Sequence, residues 1–488
     1  MAWPWLAAPN GMDTRSSPAA GRWLLWILFA ISMRIATGFA AQPEPGLHID
    51  YIDRDNSRVT LGWTDPWGKQ AYTVQIWDGN GAPFWLVPRA SVPWPISEPT
   101  WQDSCVCEPK RFYRVIAVPK TDRGRLLQNV FLGSYTAFQI NIALWMAGIP
   151  LTVSHDVDVY KLLYQTIDPV GAPTFASGAL VIPKSAGVTW PLLSYQHGTV
   201  ARKDEAPSAV GSSEQWLGVI FAACGYVTAL PDYLGLGDSP GIQLYHHASS
   251  EATAAVDMLR ATRTFCATKG ILLNNQLFLA GYSQGGHATM ALHRELEEYH
   301  SREFGLTASA PMAGAYDLSG VTTEDALSGR PMPNPHYFAL LFAGYQSVYR
   351  LSASLADILA PPYDTLLPPL LDGYHSGSEI NSIMPRDITK VLRPDYLERL
   401  RRDPNHPLRL ALKDNDLYRW TPRAPMRLYH CAGDSDVIFA NSQVALACFH
   451  ARGATHVTLV DPNSSAGHGS CAQPAFLMAK RWFDSFRN

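Results

Sequence analysis

Charge is scarce in this chain. Only 17% of its 488 residues are Asp, Glu, Lys or Arg, and the net charge is -3. No run of basic residues is present, so neither a nucleic acid nor an anionic membrane surface finds an electrostatic partner. The sequence has no H-E-x-x-H motif and no Cys/His spacing that suits zinc, so neither a metal nor a cofactor is expected. The apolar run at residues 23–33 is too short to cross a bilayer, which takes roughly 20 residues. These absences exclude nucleic-acid binders, zinc enzymes and a transmembrane anchor in the mature chain.

What is present is a long chain with 47% hydrophobic residues, enough for a large core and for two or three domains. The first forty residues read as a secretory leader. Arg15 and Arg22 give the positive segment, residues 23–33 the apolar one, and Gly38-Phe39-Ala40 the small residues a peptidase reads. Cleavage is expected near Ala40 or Ala41, and Met12 is an alternative start. The mature chain would then be secreted, reaching the medium, the periplasm or the cell surface. The 15 Trp suit such a protein.

Seven cysteines follow the leader, and an oxidising compartment would pair most of them. Cys224 with Cys266 and Cys448 with Cys471 are the expected bridges. Cys105 and Cys107 stand too close for an unstrained bridge, and Cys431, inside a strand, is the expected free thiol.

Residues 42–140 read as all-β. Segments 59–63, 72–77 and 111–118 are β-branched and aromatic, and turn residues separate them, Asp78-Gly79-Asn80-Gly81 most clearly. Residues 141–488 alternate strands and helices, which implies α/β architecture with a mostly parallel sheet of about eight strands. Strands are expected at 160–168, 175–183, 190–196, 226–231, 276–280, 307–312, 426–430 and 456–461. Helices are expected around 213–224, 251–268, 284–300 and 441–451. Residues 318–420 interrupt the alternation. They are Pro-rich with helix-like apolar pieces and too long for a plain loop, so they read as a helical cap inserted over the site.

The most informative residues are Gly281-Tyr282-Ser283-Gln284-Gly285-Gly286. An apolar strand precedes them and a helix follows, which holds a serine exposed on a sharp turn at a helix N-terminus. A serine is a poor nucleophile without a base, and the base needs an orienting acid. Candidates follow in the order Ser, Asp, His. Cys431-Ala432-Gly433-Asp434-Ser435-Asp436 follows a strand, and the acid is expected at Asp436, three residues after Gly433. Asp434 is the rival, with turn stabilisation as its alternative role, and Asp317 a more distant one. His468, in the loop Gly467-His468-Gly469 after the last strand, is the expected base. His287 is expected to pack, His197 to be structural, and His246 and His247 are open. The Gln284 and Thr199 amides are the expected oxyanion donors.

Three stretches, Tyr195-Gln196-His197-Gly198-Thr199, Asp232-Tyr233-Leu234-Gly235-Leu236-Gly237-Asp238-Ser239 and Gly281 to Gly286, together resemble the α/β-hydrolase superfamily from about residue 155 onward. Within it they look most like secretory lipases and bacterial secreted esterases. The resemblance implies an eight-stranded hydrolase fold with a cap, carboxylic ester cleavage and no cofactor. It also implies an ester or lipid substrate. The first segment resembles a fibronectin type III or immunoglobulin-like sandwich, which implies surface or polymer docking. Two other readings stay open. The same triad serves peptidases, phospholipases, acyltransferases and aromatic-ester esterases, and a hydrolase scaffold can carry a non-catalytic binding protein.

Overall fold

The computed structural model describes residues 47–55, 58–65, 70–77, 84–87, 94–103 and 111–487. The expected leader, Cys105, Cys107 and the turn at 78–81 lie outside these residues.

Two small antiparallel sheets come first. One contains β1 (His48–Asp55), β2 (Arg58–Thr64) and β4 (Thr100–Asp103); the other pairs β3 (Gln70–Trp77) with β5 (Phe112–Pro119). Alternation puts Val59, Leu61 and Trp63 on one inner face and Tyr72, Val74 and Val115 on the other, and these side chains share one core. The unit is tied to the rest of the chain. Thr73 Oγ1 donates to Val170 O at 2.7 Å, and Arg123 donates to Trp94 O while pairing with the buried Asp257.

The main sheet has nine strands rather than the expected eight. They are β6 (Leu126–Tyr135), β7 (Val157–Ile167), β8 (Pro173–Pro183), β9 (Thr189–Gln196), β10 (Val227–Pro231), β11 (Leu272–Tyr282), β12 (Ala308–Met312), β13 (Arg427–Tyr429) and β14 (Thr458–Val460). Their spatial order is β14-β13-β12-β11-β9-β10-β8-β7-β6. From β10 to β14 all neighbours are parallel, and the β10–β8, β8–β7 and β7–β6 pairs are antiparallel. The extra strand is β6, which the sequence reading assigns to the first module. It pairs with β7 from Leu126 opposite Tyr164 to Tyr135 opposite Val157, so the main sheet begins before residue 140.

Helices cover both faces of the sheet. Side chains alternate along β11, so Leu277 and Leu279 pack against α3 (Ala248–Lys269) and α4 (Gln284–Tyr299). Phe278 and Ala280 face the opposite way, towards α1 (Ala137–Met146), α2 (Gln215–Ala223) and α12 (His468–Asp484). Both faces of the sheet are buried under apolar side chains, as a mostly parallel sheet requires.

The insert between β12 and β13 folds into short helices: α5 (Thr323–Leu327), α6 (His336–Tyr349), α7 (Tyr363–Leu366), α8 (Gly377–Ile383), α9 (Pro394–Arg402) and α10 (Pro407–Asp414). It has its own core, built on Leu340, Leu341, Ile358, Ile380, Leu400 and Leu412. A further helix, α11 (Ala440–Ala451), precedes β14. Among the described residues no helix is long and apolar enough to cross a membrane.

The cysteines pair differently from expectation. Cys431 is bonded to Cys471, while Cys224, Cys266 and Cys448 are free. Cys224 packs with the α1/α2/α12 layer and Cys266 with the α3/α4 layer, so the sheet stands between them. Cys448 packs in the cluster of Trp420 and Phe449. Cys431 leaves β13 at the same sheet edge where α12 begins, which brings it to Cys471.

Candidate active site

Ser283 sits between the end of β11 and the first residue of α4, with φ 62° and ψ -122°. That backbone is strained for a non-glycine residue, and packing has to hold it. Close approach does so. A Cβ on Gly285 would stand 2.0 Å from Gln196 O, and one on Gly286 would stand 2.2 Å from Met312 O. The Ser283 amide donates to Met312 O at 2.9 Å. Strand, turn and helix are thus locked against β9 and β12, with the serine at the apex.

His468 opens α12. Its Nε2 lies 2.8 Å from Ser283 Oγ and its Nδ1 lies 2.5 Å from Asp434 Oδ2. A carboxylate only accepts, so Nδ1 carries the proton and Nε2 is free to accept from the serine hydroxyl. Tyr282 donates its hydroxyl to His468 O at 2.5 Å and anchors the base from below.

The acid partner of His468 is Asp434, not the expected Asp436. The reason is the turn after β13. Asp434 N–H donates to Cys431 O, and Asp434 Oδ1 accepts from the amides of Asp436 and Val437 at 2.9 and 3.0 Å. This turn aims Asp434 at the base and Asp436 at the cap, where its Oδ2 accepts from Asn334 at 2.9 Å. Burial pushes the Asp436 carboxyl above its ordinary range, only partly offset by His468 and Asn334. Burial also acts to raise Asp434, but hydrogen bonds from His430 and His468 win and hold it well below the usual carboxylate range. Asp317 is further still. It caps the turn at Leu318–Thr322 by accepting from Gly320 and Val321.

Sequence reading missed His430. It is fully buried, and its Nε2 donates to Val437 O at 2.8 Å while standing 3.3 Å from Asp434 Oδ2. Its Nδ1 accepts from the Ser442 hydroxyl at 2.8 Å. His430 therefore places a second N–H beside the Asp434 oxygen that meets His468. The available signal was its position four residues before Asp434, at the end of a strand.

Four other histidines make packing or capping contacts. His287 contacts Glu251 Oε2 at 2.7 Å in a fully buried pair. His197 stacks on Tyr233, with ring centroids 4.3 Å apart. His247 caps α3 by accepting from Ser250 N–H, and His246 packs edge-on to His287.

The expected oxyanion residues flank the serine. Gln284 is the first residue of α4, and its amide belongs to the first turn, which has no acceptor within the helix. Thr199 follows β9 and lines the same cavity as Ser283 and His468. That cavity is about 550 Å³, with Tyr195, Glu214, Leu217 and Phe476 in its walls and Tyr337 of the cap above.

No family model matches the chain, and no curated protein matches it. Solved structures do. A ligand-bound form of the rice cell wall degrading esterase LipA from Xanthomonas oryzae is 30% identical, with a TM-score of 0.66 over 75% of this chain and 100% of that one. A Legionella pneumophila protein proposed to be a hydrolase is 28% identical, with a TM-score of 0.69 over 74% of this chain and 98% of that one. Candida antarctica lipase A, 16% identical with a TM-score of 0.56 over 75% and 84% of the two chains, shares the fold. The chain belongs to the α/β-hydrolase family, together with the Xanthomonas oryzae esterase.

Proposed function

We propose that this protein is a serine hydrolase that cleaves carboxylic esters through Ser283, His468 and Asp434. One observation carries the reading: the unbroken contact chain from Ser283 Oγ to His468 Nε2 and from His468 Nδ1 to Asp434. Similarity to an esterase supports the reaction class. Ser283 Oγ attacks the ester carbonyl while His468 Nε2 takes its proton. Asp434 keeps the imidazole in the right tautomer and stabilises the imidazolium that forms. The Gln284 and Thr199 amides receive the oxyanion, a contribution of about 3–4 kcal/mol for each such donor. His468 then returns the proton to the leaving alcohol, and water enters by the same route to release the acid.

The leader at 1–41 and the Cys431–Cys471 bridge support secretion. The small β-unit is proposed as a fibronectin type III-like module that docks the enzyme on a surface or polymer. Ester turnover by the wild type, and its loss with retained fold in Ser283→Ala, tests the assignment. A Ser283→Ala protein that hydrolyses esters at the wild-type rate would refute it. Labelling of the wild type, but not of Ser283→Ala, by a fluorophosphonate is the parallel check, and a wild type that resists the probe favours a non-catalytic scaffold.

A further inference from the structure

Two cavities of very different size meet at Ser283. The larger, about 550 Å³, contains His468 and the residues that follow it, Gly469, Ser470 and Gln473. The smaller, about 50 Å³, lies under the cap, and Ser283 lines it but His468 does not. Tyr337 stands in the wall of both.

The chemistry of the proposed reaction decides which half of the ester goes where. The leaving oxygen must take its proton from His468 Nε2, so the alcohol lies on the His468 side, in the larger cavity. The acyl group is left with the smaller one. Leu318, Met332, Phe338, Leu341 and Ile438 give that space mostly apolar walls, although Asp325, Asp436 and His246 also border it. A volume of 50 Å³ holds the equivalent of fewer than two waters, at roughly 30 Å³ of liquid each. It suits an acetyl group and leaves little room for a longer chain. Beyond it, behind Phe338 and Leu341, lies a separate apolar void of about 30 Å³ inside the cap core.

The larger cavity holds a polar group that the mechanism does not use. Glu214 is 5% exposed and lines it. Its Oε2 accepts from Gly198 N–H at 3.3 Å, and among the described residues Oε1 accepts no hydrogen bond. Among the described residues no cation pairs with it. A carboxylate can accept several hydrogen bonds, and a donor supplied by the substrate would use the capacity that Gly198 leaves open. Thr199, Ser470 and Gln473 surround the same space with neutral hydroxyl and amide groups, which suit hydroxyls better than a cation.

We infer that the preferred substrate is a short-chain acyl ester of a bulky, hydroxyl-bearing alcohol, with the acyl group in the cap-side cavity and an alcohol hydroxyl on Glu214. The inference rests on the proposed hydrolase reading and narrows it. Tyr337 divides the two sites, and Phe338 and Leu341 stop the acyl chain.

The test is a set of kcat/KM values for the full-length protein. Along the p-nitrophenyl acetate, butyrate, octanoate and palmitate series, the wild type should peak at acetate or butyrate and fall at least about tenfold by octanoate, since the added methylenes find no room to be buried. Leu341→Ala should open the cavity into the void and narrow the butyrate-to-octanoate ratio. Leu341→Val makes the same change more gently and serves if the alanine variant does not fold. Glu214→Gln should lower the preference for glyceryl monobutyrate over butyl butyrate by about tenfold, the scale of one hydrogen bond to a charged group. The ratio is the readout because Glu214 also holds the Gly198 amide. A wild-type optimum at octanoate or palmitate overturns the acyl assignment, and an unchanged alcohol ratio in Glu214→Gln overturns the alcohol assignment, while both leave the hydrolase reading standing. Failure of the wild type to cleave any ester removes that reading and the inference with it.

Discussion

The two oxygens of Asp434 do different jobs, and the second of them meets His468 Nδ1 at 2.5 Å. Oδ1 closes the turn after β13 by accepting the amides of Asp436 and Val437. The turn-stabilising role and the acid role, which looked like alternatives, belong to one carboxylate. Turn closure fixes the rotamer that presents Oδ2 to the imidazole. His430, held in place by Ser442 and Val437, keeps that oxygen ionised.

Asp434 and Asp436 are therefore separable by mutation. Asp434→Asn should cost about 10³- to 10⁴-fold in kcat, the scale of losing the acid that sets the histidine tautomer. Asp436→Asn should cost less than about tenfold, because its carboxylate reaches Asn334 rather than the base. Ester kinetics on both variants, with circular dichroism to confirm folding, decide the assignment. A larger loss in Asp436→Asn would restore Asp436 as the acid.

The elbow tolerates no added atom. Gly285→Ala places a Cβ 2.0 Å from Gln196 O, and the obstacle is backbone of the central strand β9 rather than a side chain that could swing away. The expected outcome is a loss of several kcal/mol of stability, the overpacking range and beyond, or no soluble protein. Thermal denaturation of the purified variant measures it. A Gly285→Ala protein that melts within a degree or two of wild type would mean that the elbow is looser than its contacts indicate.

The elbow could be read in advance because it depends on residues close in sequence: glycines around Ser283, a strand before them, a helix after. The acid partner could not, because Asp434 and Asp436 differ only in where the turn after β13 points them, and the partners they then meet, His468 and Asn334, lie far away in the chain. Strand β6 was misassigned for a related reason. Nothing in its own residues says which sheet it joins, and only pairing with β7 decides. The disulfide depended on three-dimensional placement too, since nothing local distinguishes Cys431 from Cys448.

Two buried cap histidines should make the protein sensitive to mild acid. His336 begins α6, and burial depresses it to about 4, with the Asn381 hydrogen bond opposing. His406 caps α10, and burial likewise depresses it to about 4, against the pull of Asp403. Both are neutral when folded and take up a proton near pH 6.5 when unfolded. Their contribution is complete above pH 6.5 and is lost as pH falls from there to about 4, by roughly 3 kcal/mol for each. Asp434 acts in a different window. Its folded carboxyl is depressed, so its stabilisation holds above the ordinary carboxylate range of about 4 and fades only below it. Melting temperatures between pH 7.5 and 4 should therefore drop in wild type. They should drop less in the double variant His336→Gln/His406→Gln. Parallel curves for the two proteins would show that these histidines carry no such linkage.

The Cys431–Cys471 bridge should matter for activity as well as stability. It joins the residue three positions before Asp434 to the residue three positions after His468, and it closes a loop with a sequence separation of 40. Loop entropy alone assigns such a bridge about 4 kcal/mol. Its removal also frees the acid turn from the first turn of α12, the two elements that hold the 2.5 Å contact. Replacing both cysteines by serine should lower the melting temperature by several degrees. It should also reduce kcat and, because the first turns of α12 wall the larger cavity, raise KM. Steady-state kinetics and calorimetry on the double variant, with dithiothreitol-treated wild type as the chemical equivalent, separate the two effects. Lower melting temperature with unchanged kcat would make the bridge a stabiliser only. Unchanged values of both would mean that hydrogen bonds at Asp434, His430 and Tyr282 suffice to hold the acid and base together.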